Sequence, residues 1–235
     1  FKDAAGATLT ITGNVDLETL KPMVEKYIGS IKKGKKATEW GYRGDGIVDG
    51  TKVNDFRTVM QTPMVTVLQV WKANEKYSVE DEVAISALEY ILGMVYTETL
   101  REEEGGTYGV GVSGGINHYP KEEVRLQIAF DTDPERRARM TEVIKQGLDD
   151  FIKNGPNPEQ LARVKEFMLK KYQENQKENA YWMNQLKEYY WNGIDGTKNY
   201  EQMVNSITGK EIQKYVKKLI KQGNCIEVSI SGTKE

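Results

Sequence analysis

Thr107-Tyr-Gly-Val-Gly-Val-Ser-Gly-Gly-Ile116 is followed, after a six-residue joint, by Glu123-Val-Arg-Leu-Gln-Ile-Ala-Phe-Asp131. In the second segment Val124, Leu126, Ile128 and Phe130 recur at every other position, the pattern of a half-buried strand. The first segment has the same period, loosened by glycine. The joint, Asn117 to Glu122, is short enough for a hairpin, so the two strands pair antiparallel. A sheet with one apolar face has to bury that face under helices. The expected fold is therefore α+β: a two-layer domain whose mostly antiparallel sheet is covered by helices.

Upstream of the hairpin, residues 63–71 carry Val65, Val67, Leu68 and Val70 and read as a strand. Ser78 then precedes Val83, Ala84, Ala87, Leu88, Ile91, Leu92 and Val95, one broad helical face that Gly105-Gly106 stops. Downstream, Pro134 opens a helix with Met140, Val143, Ile144, Leu148 and Phe151 on one side, and Asn154-Gly155-Pro156 ends it. Pro158 opens a longer helical stretch to about Tyr190. Another helix covers roughly 200–221, and the strand 224–230 closes the chain. Before all of these, residues 7–12 alternate as a strand. Asp16 caps a helix bearing Leu20, Val24 and Ile28, whose stripe is expected to bury against the sheet of the later residues. Residues 32–55, rich in Gly, Lys and Asp, read as a linker. Leu9-Thr-Ile-Thr-Gly13 echoes Val228-Ser-Ile-Ser-Gly232. The expected organisation is thus 1–31 as the last strand and helix of a preceding domain copy, 32–55 as linker, and 56–235 as a second domain.

Composition excludes several functions. With 33 Lys and Arg against 35 Asp and Glu, nucleic acid is not the expected partner. No run of about 18 consecutive apolar residues is present, so no membrane span is expected. One cysteine, Cys225, and one histidine, His118, cannot supply a Cys-based zinc cluster or a two-His zinc site. His118 reads as a solvated loop residue and Cys225 as a half-buried inert thiol. Gly109-Val-Gly111-Val-Ser-Gly114 fits G-x-G-x-x-G, but a strand follows it where dinucleotide binding needs a helix. Glu102, Glu103 and Glu104 read as a solvated charge run. The aromatics at 181, 182, 189, 190 and 191 read as core. Phe1-Lys2-Asp3 has no signal-peptide anatomy, which suits a mature or excised chain.

Leu100-Arg-Glu-Glu-Glu-Gly-Gly-Thr-Tyr108 joins the apolar helix to the hairpin. The guanidinium of Arg101 offers a fork of donors to carbonyl oxygens, and the phenol of Tyr108 offers one directed donor. On one end of the sheet they could hold a peptide backbone or a developing oxyanion. On residue chemistry alone, a capping Arg and a core-edge Tyr is the simpler account.

The pattern L-R-E-x-x-G-x-x-Y resembles the signature of the C-terminal half of the pitrilysin/insulinase family of zinc peptidases, the inverzincins with an inverted H-x-x-E-H motif. Ile11-Thr-Gly-Asn-Val-Asp16 with Leu20-Lys-Pro-Met-Val-Glu-Lys-Tyr-Ile-Gly29, the helix Ala84–Gly93 and Asn157-Pro-Glu-Gln-Leu161 resemble the same family. Gly106 stands where the family often has Leu, and Asn14 where it has Asp. The resemblance implies a metallohydrolase-like fold of the processing-peptidase type. It implies a substrate-binding role for Arg101 and an oxyanion-donating, catalytic role for Tyr108. No cofactor is expected in this chain; zinc is expected in a missing N-terminal catalytic half, on the same chain or a separate subunit. The implied substrate is a peptide or small unfolded protein, and this chain alone is expected to be inactive. The alternative is a non-catalytic partner or scaffold subunit of a processing-peptidase-like complex. The sequence does not set the compartment; in a bacterium it would be periplasm or cytoplasm.

Overall fold

The alternating segments 65–74 and 123–132 form the centre of a sheet. The structure is a computed structural model that describes residues 3–37, 41–42, 44, 49–62, 64–107 and 109–233. It divides into two compact units, one of residues 1–44 and 170–200, the other of residues 45–169 and 201–235.

In the larger unit, β2 (Val65–Asn74) buries Val65, Val67, Trp71 and Ala73, and β4 (Glu123–Thr132) buries Val124, Leu126, Ile128 and Phe130. The two pair antiparallel with Val67 opposite Phe130 and Trp71 opposite Leu126, so their apolar side chains share one face. β3 (Val110–Asn117) pairs antiparallel with the far side of β4, completing the expected hairpin. β5 (Asn224–Thr233) lies antiparallel to β2, and β1 (Thr51–Val59) lies parallel to β5. Among the described residues the order is β1-β5-β2-β4-β3, with β1–β5 the parallel pair. The fold is thus α+β with a mostly antiparallel sheet.

β1 begins inside the span read as linker. All nine of its residues are exposed, so this edge strand has no buried face and leaves no alternating pattern to read.

Three helices supply most of the cover. α2 (Val79–Tyr96) starts at Ser78, whose hydroxyl accepts the Asp81 N–H at 3.0 Å, and carries Glu80, Asp81 and Glu82 in its first turn, where the helix dipole favours acids. It buries Ala84, Ala87, Leu88, Ile91 and Leu92. The run Val79–Glu102 is long and apolar enough to cross a membrane by length and composition, but half of that stretch is buried inside the domain. α3 (Arg137–Asn154) follows a 3₁₀ turn at Pro134–Arg136 and buries Met140, Val143, Ile144, Leu148 and Phe151, the five residues its periodicity marks. α7 (Gly209–Gln222) buries Ile212, Tyr215, Val216 and Leu219.

Two expected helices are each broken. The stretch from Pro158 divides into α4 (Pro158–Asn175) and α5 (Asn179–Asn192). Lys177 and Glu178 turn back through i−3 bonds to Glu174 and Asn175 in a polar run with no apolar stripe. The stretch 200–221 divides into α6 (Tyr200–Ser206) and α7, because Thr208 and Glu211 form a capping box with Thr208 N–H to Glu211 Oε2 at 2.7 Å.

The smaller unit holds α1 (Leu17–Tyr27) and α5, and neither helix buries a residue. The expected burial of Leu20, Val24 and Ile28 is overturned: Leu20 and Val24 are half-buried and Ile28 is 43% exposed. Residues 7–12 are not a strand. Among the described residues no strand pairs with them, and Thr12 instead donates its hydroxyl to the Asn179 carbonyl at 3.3 Å. The aromatics of α5 are not core either. Trp182, Tyr189, Tyr190 and Trp191 are all exposed, and only Tyr181 joins a ring cluster, edge-on to Tyr172, which stacks on Tyr200.

Replacing Ile91, which is fully buried, by Ala is expected to lower the unfolding free energy by about 2–5 kcal/mol. Trp191→Ala, at a residue 70% exposed, is expected to change it by less than about 0.5 kcal/mol. Denaturant titration of the two variants checks both.

Candidate substrate-contacting turn

Helix α2 does not stop at Tyr96. It continues as π-helical turns over Thr97–Glu103. The Thr97 hydroxyl bonds back to the Gly93 carbonyl at 2.7 Å and the Thr99 hydroxyl to Val95 at 2.9 Å. Such back-bonding bends helices, and short π segments recur at functional sites. Leu100 is fully buried and anchors the segment; Arg101, one residue on, is exposed. Among the described residues Arg101 has no hydrogen-bond or ion-pair partner.

The segment ends through Glu104 N–H to the Thr99 carbonyl and Gly106 N–H to Leu100, both at 3.1 Å. Gly105 sits at φ +57°, in the left-handed region that favours glycine. Gly106 has a different reason to lack a side chain: a Cβ there would land on the Met140 sulfur. Met140, fully buried on α3, thus fills the space that the family's Leu would use. Beyond the turn Thr107 is buried, with its hydroxyl donating to the Gly109 carbonyl at 2.7 Å. Tyr108, the second residue expected to act, lies outside the described residues.

Four side chains of residues 132–140 meet this turn, and sequence reasoning missed them as functional residues. Thr132 Oγ1 donates to the Gly106 carbonyl at 2.5 Å. Arg136 Nη1 donates to the carbonyls of Glu104 at 2.9 Å and Gly105 at 2.8 Å. Arg139 Nε reaches the Glu104 carboxylate at 3.1 Å, with Nη2 on the same oxygen, and Met140 packs on Gly106. Glu104 is therefore not the free charge that a solvated run implies. The hydrogen bonds from Arg139 hold its carboxyl below the usual glutamate range, helped by the charges of Arg139 and Arg136. Glu104 and Arg139 also line a cleft of about 370 Å³ with Gln146, Asp150 and Gln160; Arg101 does not line it.

The other candidates lead elsewhere. Cys225 is half-buried, and burial, then the Glu227 charge, pushes its thiol up to about 11, as suits an inert thiol. His118 is not free in a loop; its ring lies 5.6 Å from Tyr77 and 4.7 Å from Tyr119. The G-x-G-x-x-G stretch runs into edge strand β3 between a helix and a strand, the wrong order for a pyrophosphate site. The chain does not fit zinc. It has one His and one Cys, and among the described residues no three of His, Cys, Asp and Glu converge as metal ligands.

The model of the peptidase M16 inactive domain matches residues 1–168. The chain belongs to that family, the pitrilysin/insulinase zinc peptidases, as its inactive C-terminal domain. It is 23% identical over 199 residues to a zinc protease PQQL-like of Arabidopsis thaliana, covering 79% of this chain and 21% of that protein. It is 26% identical over 163 residues to a probable zinc protease PqqL of Haemophilus influenzae, covering 69% and 17%. The chain thus spans about a fifth of the length of these relatives. Among solved structures, the ferredoxin protease FusC in complex with Arabidopsis ferredoxin superposes with a TM-score of 0.74 at 17% identity, over 95% of this chain and 24% of that one.

Because the folded pKa of Glu104 lies below its unfolded value, the Arg139–Glu104 contact stabilises the fold above about pH 4.3, the ordinary glutamate value, and loses that contribution as pH falls through the lower folded value. A carbon-detected NMR titration is expected to show Glu104 titrating below Glu102. Arg139→Gln should bring the two together.

Proposed function

We propose that this chain is the zinc-free C-terminal portion of a zinc metallopeptidase and positions peptide substrate for hydrolysis by a zinc-bearing N-terminal half. The observation that carries the reading is Arg101, exposed and without a partner among the described residues, beside a braced turn that leads into Tyr108. A cation left unpaired at the end of a buried helix contributes little to the fold, and its planar fork of donors suits peptide carbonyls. On this reading Arg101 grips substrate carbonyl groups, and the Tyr108 hydroxyl donates to the tetrahedral oxyanion as the carbonyl carbon is attacked. Zinc, with its activated water, belongs to the other half. The two zinc-protease relatives support that division of labour, since most of their length lies outside the match. The FusC complex with ferredoxin supports a peptide or small protein as the substrate. Residues 1–31 are then the end of a preceding domain copy, and 56–235 the domain that closes over substrate.

The second reading is a non-catalytic partner subunit, which the retention of both Arg101 and Tyr108 disfavours. Assembled with its zinc-bearing half, Tyr108→Phe is expected to lower kcat by about 10²–10³, the usual effect of losing one oxyanion donor. Arg101→Ala is expected to raise KM as well, because ground-state grip is lost. Neither change should alter the unfolding midpoint. Steady-state kinetics on a fluorogenic peptide decides the matter; wild-type rates in both variants would favour the partner subunit.

A further inference from the structure

Helix α3 begins with cations where its dipole disfavours them. Arg136, Arg137 and Arg139 crowd its N-terminus, and no acid lies in its first turn. Two of the three are balanced by carboxylates. Arg137 bridges Asp55 at 2.7 Å and Glu227 at 2.9 Å, and Arg139 holds Glu104. Arg136 has only two neutral acceptors, the carbonyls of Glu104 and Gly105. Those bonds are exposed, so water could satisfy the same carbonyls, and the π-helical end is already closed by its own backbone bonds. Fold stability does not account for Arg136. What its guanidinium does is fix the direction of a turn whose glycine pair would otherwise leave it free.

We propose that Arg136 is a positioning residue: by holding the Glu104 and Gly105 carbonyls it fixes the spacing between Arg101 and Tyr108. The inference rests on the functional reading above. Arg136 lies at the same turn as the two substrate residues but touches neither the peptide nor the reacting atoms. Thr132, on the Gly106 carbonyl, holds the next link of the same turn, so three successive carbonyls are gripped by side chains from one five-residue stretch. Loosening such a turn displaces the reacting groups, and displacements of about 1 Å are known to cost up to about a hundredfold in rate.

The test uses the peptidase assembled with its zinc-bearing half, in four forms: wild type, Arg136→Ala, Arg101→Ala/Tyr108→Phe, and the triple variant. Three quantities are read: kcat and KM on a fluorogenic peptide, Kd of the metal-stripped protein for an uncleavable analogue of that peptide, and the unfolding midpoint. Arg136→Ala is expected to lower kcat about tenfold and weaken Kd severalfold with the midpoint unchanged. In the Arg101→Ala/Tyr108→Phe background the same change should alter kcat by less than about twofold, because the groups it positions are gone. A wild-type kcat and Kd in Arg136→Ala would overturn the proposal. So would an equal loss persisting in the triple variant, or a fall in midpoint that matches the loss of rate. Wild-type activity in Arg101→Ala/Tyr108→Phe would instead overturn the functional reading itself, and the positioning role with it.

Discussion

Burial of the run from Val79 to Leu100 is the constraint on which the rest of the larger unit depends. Ala87, Leu88, Ile91, Leu92, Tyr96 and Leu100 are each 1% exposed or less, and removing such side chains from water is worth roughly 1.5–3 kcal/mol apiece for the large ones. Tyr96 keeps its phenol inside by donating to the Ile144 carbonyl at 2.9 Å, and burial pushes that phenol's pKa far above its usual value. This ties α2 to α3. With Leu100 locked inside, the next residue has to emerge at the surface, and that residue is Arg101. The widened π-helical turns let the chain leave the helix directly after it.

α3 connects this exit to the opposite edge of the sheet. Its first residues hold the 104–106 turn through Arg136 and Arg139, while Arg137 holds β1 and β5 through Asp55 and Glu227. The Ser229 hydroxyl, then Arg137, keeps the Asp55 carboxyl below its ordinary range. The cations at the α3 N-terminus oppose the helix dipole locally. Partners on two separate elements offset that cost, and α3 becomes the piece that relates the turn to the far edge strand.

Much of the larger unit was legible because its elements obey a simple period. The hairpin, the strand 65–74 and the buried face of α3 follow from spacing alone, since one face is covered and the other is not. β1 was not legible because an edge strand exposed on every residue has no pattern. The aromatics of α5 misled for a related reason: aromatic residues mark burial only where a surface exists to cover them, and nothing buries α5 in its own unit. At the site, Arg101 could be singled out from the L-R-E-x-x-G-x-x-Y pattern. The side chains that brace the turn could not, because Thr132, Arg136 and Arg139 meet it across about thirty residues of chain, and such contacts leave no local signal. The missing side chain at Gly106 was visible; that Met140 occupies its place required the packing of α3.

The central claim is that residues 101–108 face the substrate in the assembled peptidase. Photo-cross-linking of an uncleavable peptide to the metal-stripped assembly, followed by mass spectrometric mapping, tests it most directly. The account predicts adducts in this chain concentrated on the tryptic peptides that contain Glu102–Tyr108, and their loss on competition with unlabelled peptide. Competable adducts elsewhere in the chain, with none between Arg101 and Tyr108, would contradict it.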